Sequence, residues 1–198
     1  MTARDTVEWF ALVALGVQLP IPFFWLMVHP LVRHWRRNPR GVFQVAAPLA
    51  WIPVSLLLLA FRERLVDATH APVWAMALGV ALVLADVWLI FRIHAEFSGE
   101  KLFGHAELKD ARQLHTSGLF AQVRHPRYAG MLASVAGACL AAGTLLLWLV
   151  AALWSIFAML AVLAEERELR ARFGSAYDDY ARRVPRFLPF RFFPREER

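Results

Sequence analysis

Apolar residues run in long blocks along this chain, and the polar residues gather in short stretches between them. The first block covers about Val7 to Val28, the second about Val42 to Phe61 and the third about Ala71 to Phe91. Each is close to the roughly 20 residues that a helix needs to cross a bilayer. Pro20 and Pro22 predict a kink in the second half of the first span. A fourth block, Tyr128 to Ala164, is too long for one typical span and fits a helical hairpin turning near Gly143 and Thr144. The pattern predicts an all-α polytopic membrane protein of about five transmembrane helices.

The connections differ in character. Arg33-His34-Trp35-Arg36-Arg37-Asn38-Pro39-Arg40 is strongly basic, Arg62 to His70 is short and balanced in charge, and the hairpin turn is uncharged. From Arg92 to Arg127 the chain is polar, with Gly99, Gly104 and Gly118 as breakers and no sustained helical period. Positive residues concentrate in the first and third connections and in the tail, which predicts an outside N-terminus and a cytoplasmic C-terminus in a bacterial inner membrane. Residues 1–198 are expected to form one membrane domain, with three spans in 1–91 and a catalytic loop, hairpin and tail in 92–198. Met1 to Glu8 lacks the basic start of a signal peptide, so the first span is expected to be retained.

Composition agrees: 59% of residues are hydrophobic and 19% charged, with a mean hydropathy of +0.44. The net charge of +6 invites a nucleic-acid reading. However, most basic residues flank apolar spans, where orientation and anionic headgroups account for them. No nucleic-acid partner is expected. The single cysteine, Cys139, lies inside an apolar block and supports neither a disulfide nor a zinc cluster. Neither composition nor motif specifies an oligomeric state.

The first arm of the hairpin has small residues at helical spacing. Gly130, Ser134, Ala138 and Ala142 form one line, with Ala133, Gly137 and Ala141 on another. Such faces let membrane helices approach closely. Asp86 lies in mid-span, where a carboxylate needs a partner or a polar cavity. The histidines His94, His105, His115 and His125, with Glu96, Glu100 and Glu107 nearby, are spaced ten or eleven residues apart. That is unlike the close helical spacings that hold catalytic metals, so no metal site is expected.

The densest polar constellation is Leu114-His115-Thr116-Ser117-Gly118-Leu119-Phe120 followed by Arg124-His125-Pro126-Arg127-Tyr128-Ala129-Gly130. Glu165-Glu166 ends the hairpin, and Phe173-Gly174-Ser175-Ala176-Tyr177-Asp178-Asp179-Tyr180 and Val184-Pro185-Arg186 follow. The hairpin returns the chain to the side where it began, so these groups should meet at one surface. Taken singly, Arg124 and Arg127 read as interfacial anchors, Tyr128 as an interfacial aromatic and the two glutamates as the start of a solvated helix.

Together and in this order, across about residues 92 to 190, they resemble the isoprenylcysteine carboxyl methyltransferases and the related membrane phospholipid methyltransferases. Phe120 departs from the usual Tyr but keeps the ring. The resemblance implies an S-adenosyl-L-methionine pocket formed by the hairpin, the segment before it and the tail. By motif position it assigns Leu114, His115, Gly118, Leu119, His125, Tyr128 and Glu165 or Glu166 to the cofactor. Arg124 or Arg186 would orient a carboxylate acceptor, and Glu166 would take a proton from an amine. The acceptor would be a lipophilic small molecule or a membrane lipid. A reductase of the sterol-reductase branch using NADPH, and a non-catalytic membrane subunit of the same fold, are the alternatives.

Overall fold

A computed structural model describes residues 2–96 and 114–189. Gly99, Glu100, Gly104, His105 and Glu107, singled out above, lie outside the described residues. The described chain is helical: α1 (Ala3–Gln18), α2 (Pro20–Val28), α3 (Val32–Arg37), α4 (Pro39–Ala60), α5 (Arg62–Leu65), α6 (Val73–Glu96), α7 (Pro126–Ala142), α8 (Leu145–Phe173) and α9 (Ser175–Arg183). Among the described residues, four stretches are long and apolar enough to cross a membrane: Ala3–Val28, Pro39–Ala60, Val73–Ala95 and Leu145–Phe173. The 17-residue α7 pairs with α8 as the first arm of the hairpin.

Local chemistry sets the boundaries. Thr2 caps α1 by accepting from the Asp5 N–H while Asp5 accepts from Thr2, a reciprocal pair that satisfies two donors of the first turn. Pro20 and Pro22 divide α1 from α2 at Leu19 with only a slight break, since Leu19 keeps helical dihedrals. Thr144 opens α8 by accepting from the Leu147 N–H. Gly174, at φ 56°, ends it in a conformation that a side chain would resist. Two expectations shift at the edges. Residues 92–96 continue α6, and residues 165–173 continue α8 as helix beyond the apolar stretch.

Leucine-rich faces point outward, with Leu49, Leu56, Leu78, Leu149 and Leu153 all exposed. In a water-soluble protein this would be a large apolar patch, whereas here it is the surface that lipid covers. The inner contacts use the small-residue lines predicted for α7. A Cβ on Gly79 of α6 would lie 2.3 Å from the Gly137 carbonyl oxygen and 2.8 Å from the Ala141 Cβ, so the two backbones touch there.

Polar contacts tie the helix ends into two opposite sets. At one end Arg4 donates to the Thr69 carbonyl, the Ala68 N–H donates to Glu8, the Asp67 N–H donates to the Ala142 carbonyl at 2.7 Å, and Thr144 donates to Leu65 at 3.1 Å. The N-terminus, the second connection and the hairpin turn therefore share one end of the bundle. The first connection, residues 114–125 and the tail share the other.

Candidate functional site

Glu166 is the hub of that second end. Its side chain is wholly buried. Arg124 Nη2 donates to Oε1 at 2.7 Å, Arg186 donates from Nε and Nη2 to both oxygens at 3.0 Å, and His125 Nε2 lies 3.3 Å away. Arg170, one turn on in α8, adds a contact of 3.5 Å. A buried carboxylate is tolerable only when paired in this way. The pairing joins three separate pieces of chain: the segment before α7, the end of α8 and the tail.

The backbone reinforces the join. The Arg124 N–H donates to the Pro185 carbonyl at 2.8 Å and the His125 N–H to Arg186 at 2.9 Å. Arg124 Nη1 also donates to the carbonyls of Ala181 and Val184. Tyr180 donates to the Phe120 carbonyl at 2.7 Å, fixing the short turn Gly118–Ala121. Leu114 packs with Tyr177, Tyr180 and Val184 in a small core beneath α9. His115 meets the Phe120 ring edge-on at 5.4 Å. Gly118, at φ 60°, takes a left-handed turn open to glycine, and Leu119 follows half-buried.

Glu165 faces elsewhere, because neighbours on a helix point about 100° apart. It is half-buried and forms an ion pair with His125 Nδ1 at 3.5 Å. His125 itself is 4% exposed. Burial alone would favour its neutral form. The carboxylate of Glu165, and after it that of Glu166, outweigh burial and raise its pKa to about 9, so the ring is cationic at neutral pH. The Tyr128 ring stands edge-on to His125 at 6.0 Å and Phe187 lies 6.3 Å away. Arg124, His125, Tyr128, Glu165, Glu166 and Arg186 thus come together. Leu114, His115, Gly118 and Leu119 stand behind them on the segment that the tail clamps.

Arg127 behaves differently from an interfacial anchor. It turns into the bundle, donating to Asp86 at 2.8 Å and to Gln18 Oε1 at 2.8 Å, while Gln18 donates to Asp86 at 2.5 Å. Asp86 is 1% exposed and sits against Gly130, where a Cβ would come within 2.3 Å of its carboxylate. This triad locks α1, α6 and the start of α7 together.

The sequence reading overlooks two groups at the site. His29, buried at the end of α2, contacts Glu168 Oε2 through Nδ1 at 2.9 Å, and Arg36 reaches the other oxygen at 3.3 Å. A histidine just past an apolar span, beside the basic connection, is the signal that marks it. Among the described residues no group of three or more His, Cys, Asp or Glu is placed to hold a metal ion.

A bundle of membrane helices closed at one end by a buried Arg, His and Glu cluster, with the tail docked across it, is an integral membrane protein with a polar site at its surface. The phospholipid methyltransferase family model matches residues 74–176, just over half of the chain, and the chain belongs to that family of membrane methyltransferases. It is similar to methanethiol S-methyltransferase 2 of Bradyrhizobium diazoefficiens, with 32% identity over 158 residues, 78% of this chain and 52% of the relative. It is also similar to a probable protein-S-isoprenylcysteine O-methyltransferase of Oryza sativa subsp. indica, at 29% over 168 residues, 79% of this chain and 84% of the relative. The protein-S-isoprenylcysteine O-methyltransferase of Mus musculus is 33% identical over 153 residues, 75% of this chain and 51% of the relative. The chain spans about half the length of the first and last of these. No solved structure matches it. All three relatives are methyltransferases by name, which favours methyl transfer over the sterol-reductase alternative.

Proposed function

We propose that the protein transfers the methyl group of S-adenosyl-L-methionine to a lipophilic acceptor, beside Glu165, His125 and Tyr128. The observation that carries this is the division of labour between adjacent carboxylates. Glu166 is held by Arg124, Arg186 and His125, whereas Glu165 is half-buried and, among the described residues, meets His125 at 3.5 Å. A carboxylate beside aromatic rings suits a sulfonium, which is a cation. When bound, the donor supplies an electrophilic methyl group to an in-line nucleophile in a water-poor site.

Each residue's part follows from its contacts. Glu165 stands between two cations, the His125 imidazolium and the donor's sulfonium, and offsets the repulsion between them, while Tyr128 walls the same space. Arg124 and Glu166, first expected in catalysis, are read here as positioning residues, since both terminal nitrogens of Arg124 and both oxygens of Glu166 are engaged in holding the tail to the hairpin. In this reading Glu166 does not accept a proton from an amine. Arg186 binds Glu166 with two nitrogens, yet 41% of its side chain is exposed, so it can also face an anionic acceptor. Leu114, His115, Gly118 and Leu119 supply the segment beside the donor.

In this reading the site faces the cytoplasm of a bacterial inner membrane, because the basic connections lie at its end of the bundle. Reporter fusions after Asp67 and after Arg198 should then report opposite sides. The functional test is calorimetry on detergent-purified, chelator-treated protein. Saturable binding of S-adenosyl-L-methionine and of its demethylated product is expected. Binding of NADPH in their place, or loss of binding on chelation, would overturn the proposal.

A further inference from the structure

Acidic residues are unevenly placed along the chain, and between Glu8 and Glu63 there is none. Within that stretch the connection from α2 to α4 brings Arg33, Arg36, Arg37 and Arg40 together. It joins the spans Ala3–Val28 and Pro39–Ala60, so it lies at the level of the bilayer surface. At the opposite end of the bundle cations are matched by acids. Arg62 pairs there with Glu63 at 3.6 Å and lines a cavity with Asp5 and Glu8.

The connection is anchored from within. Trp35 is buried, and its Nε1 donates to the Met27 carbonyl at 3.0 Å. Gly41 packs against the same ring, since a Cβ there would lie 3.3 Å from Trp35 Cζ3, so α4 starts directly beside α3. Asn38 closes the turn between the two helices by accepting from the Gly41 N–H at 3.3 Å. Arg36 reaches Glu168 of α8 at 3.3 Å. The other three arginines are exposed, and among the described residues no carboxylate pairs with them. Arg33 and Arg37 are one turn apart on α3, where like charges repel each other. Arg40 follows just across the Asn38 turn. Leu31, beside the cations, and Phe43, Val45 and Leu49, further along α4, are exposed apolar side chains. A cationic rim above an apolar surface suits an amphiphile with an anionic head and a hydrocarbon tail.

We propose that Arg33, Arg37 and Arg40 bind the headgroup of an anionic phospholipid, with its acyl chains against Leu31 and the exposed apolar side chains of α4. The lipid phosphate accepts hydrogen bonds from the guanidinium groups, and its net negative charge offsets their mutual repulsion. A zwitterionic lipid presents the same phosphate with an ammonium beside it, which the cluster repels. An acidic peptide or a nucleic acid would match the charge but leave the apolar surface below it uncovered. Basic residues at span ends respond in general to the potential of the leaflet. Three guanidinium groups on a turn fixed by Trp35 and Arg36 define a single saturable position instead.

The test titrates the whole protein in detergent with dioleoylphosphatidylglycerol and with dioleoylphosphatidylcholine, which differ only in the headgroup, and counts bound lipids by native mass spectrometry. The parent should bind the anionic lipid saturably and about tenfold more tightly than the zwitterionic one, and the preference should fall as salt is raised. The triple variant Arg33→Gln, Arg37→Gln, Arg40→Gln should lose the preference, while its lipid-free Tm stays near the parent's. Phosphatidylglycerol should raise the Tm of the parent and not that of this variant. The double variant Arg62→Gln, Arg64→Gln, which removes cations from the opposite end, should keep the preference. Equal affinity for the two lipids in the parent, a preference that survives the triple substitution, or one lost equally in the double variant would overturn the site. So would displacement of the lipid by its free headgroup, glycerophosphoglycerol, which would mark a site for soluble anions. The salt series on the parent needs no variant to fold, and a preference that salt leaves unchanged would overturn the proposal on its own.

Discussion

Glu166→Gln should destabilise the ligand-free protein by about 3–5 kcal/mol, the range for removing one partner of a buried ion pair. The carboxylate has no exposure and holds Arg124 and Arg186, with His125 close by. An amide there leaves Arg124, with 8% of its side chain exposed, without its balancing charge. Because those bonds pin the tail over the hairpin, donor binding should weaken along with stability. Glu165→Gln should behave in the opposite way. Its melting temperature should stay close to the parent's, while donor affinity falls by about 1–3 kcal/mol, the range for a charge-assisted contact. Melting temperature and donor affinity, measured for both variants against the parent, separate the roles. Parent-like values for both variants would place the site away from the hairpin's end.

Breaking the triad in the membrane interior should have an effect of similar size. Asp86→Leu leaves Arg127 and Gln18 facing an apolar side chain between α1, α6 and α7, and should cost about 3–5 kcal/mol. Adding Arg127→Met removes the stranded cation. Since well-packed apolar residues replace buried ion pairs at little cost, the double variant should recover most of the lost stability. Thermal melting of both variants in one detergent checks this. A double variant no more stable than Asp86→Leu alone would mean that the pair contributes nothing by its charge.

Much of the fold is legible in the blocks of the sequence. Spans of bilayer length, a turn at Gly143 and Thr144 and a line of small residues on α7 all reflect constraints acting along one helix at a time. The meeting of the polar clusters was also legible, since they are ordered so that a hairpin must bring them to one surface. The direction of each side chain was not. Glu165 and Glu166 are chemically identical, and only the rotation of α8 against the tail makes one a hub and leaves the other half-buried. Arg127 reads as an anchor because a long cation at a membrane entrance can snorkel outward. The carboxylate of Asp86, 41 residues earlier, turns it inward. Gln18 and His29 act through partners more than 60 residues away, and no local spacing encodes such contacts.

The most direct test of the whole account is methyl transfer itself. Purified protein would be incubated with S-adenosyl-L-methionine carrying an isotopically labelled methyl group, together with membrane lipid extract or lipophilic thiol and carboxylate acceptors, and the products analysed by mass spectrometry. The account predicts labelled methyl in a lipophilic product, formed by the parent and strongly reduced in Glu165→Gln. Absence of labelled product with every acceptor, or equal labelling by Glu165→Gln and the parent, would contradict it.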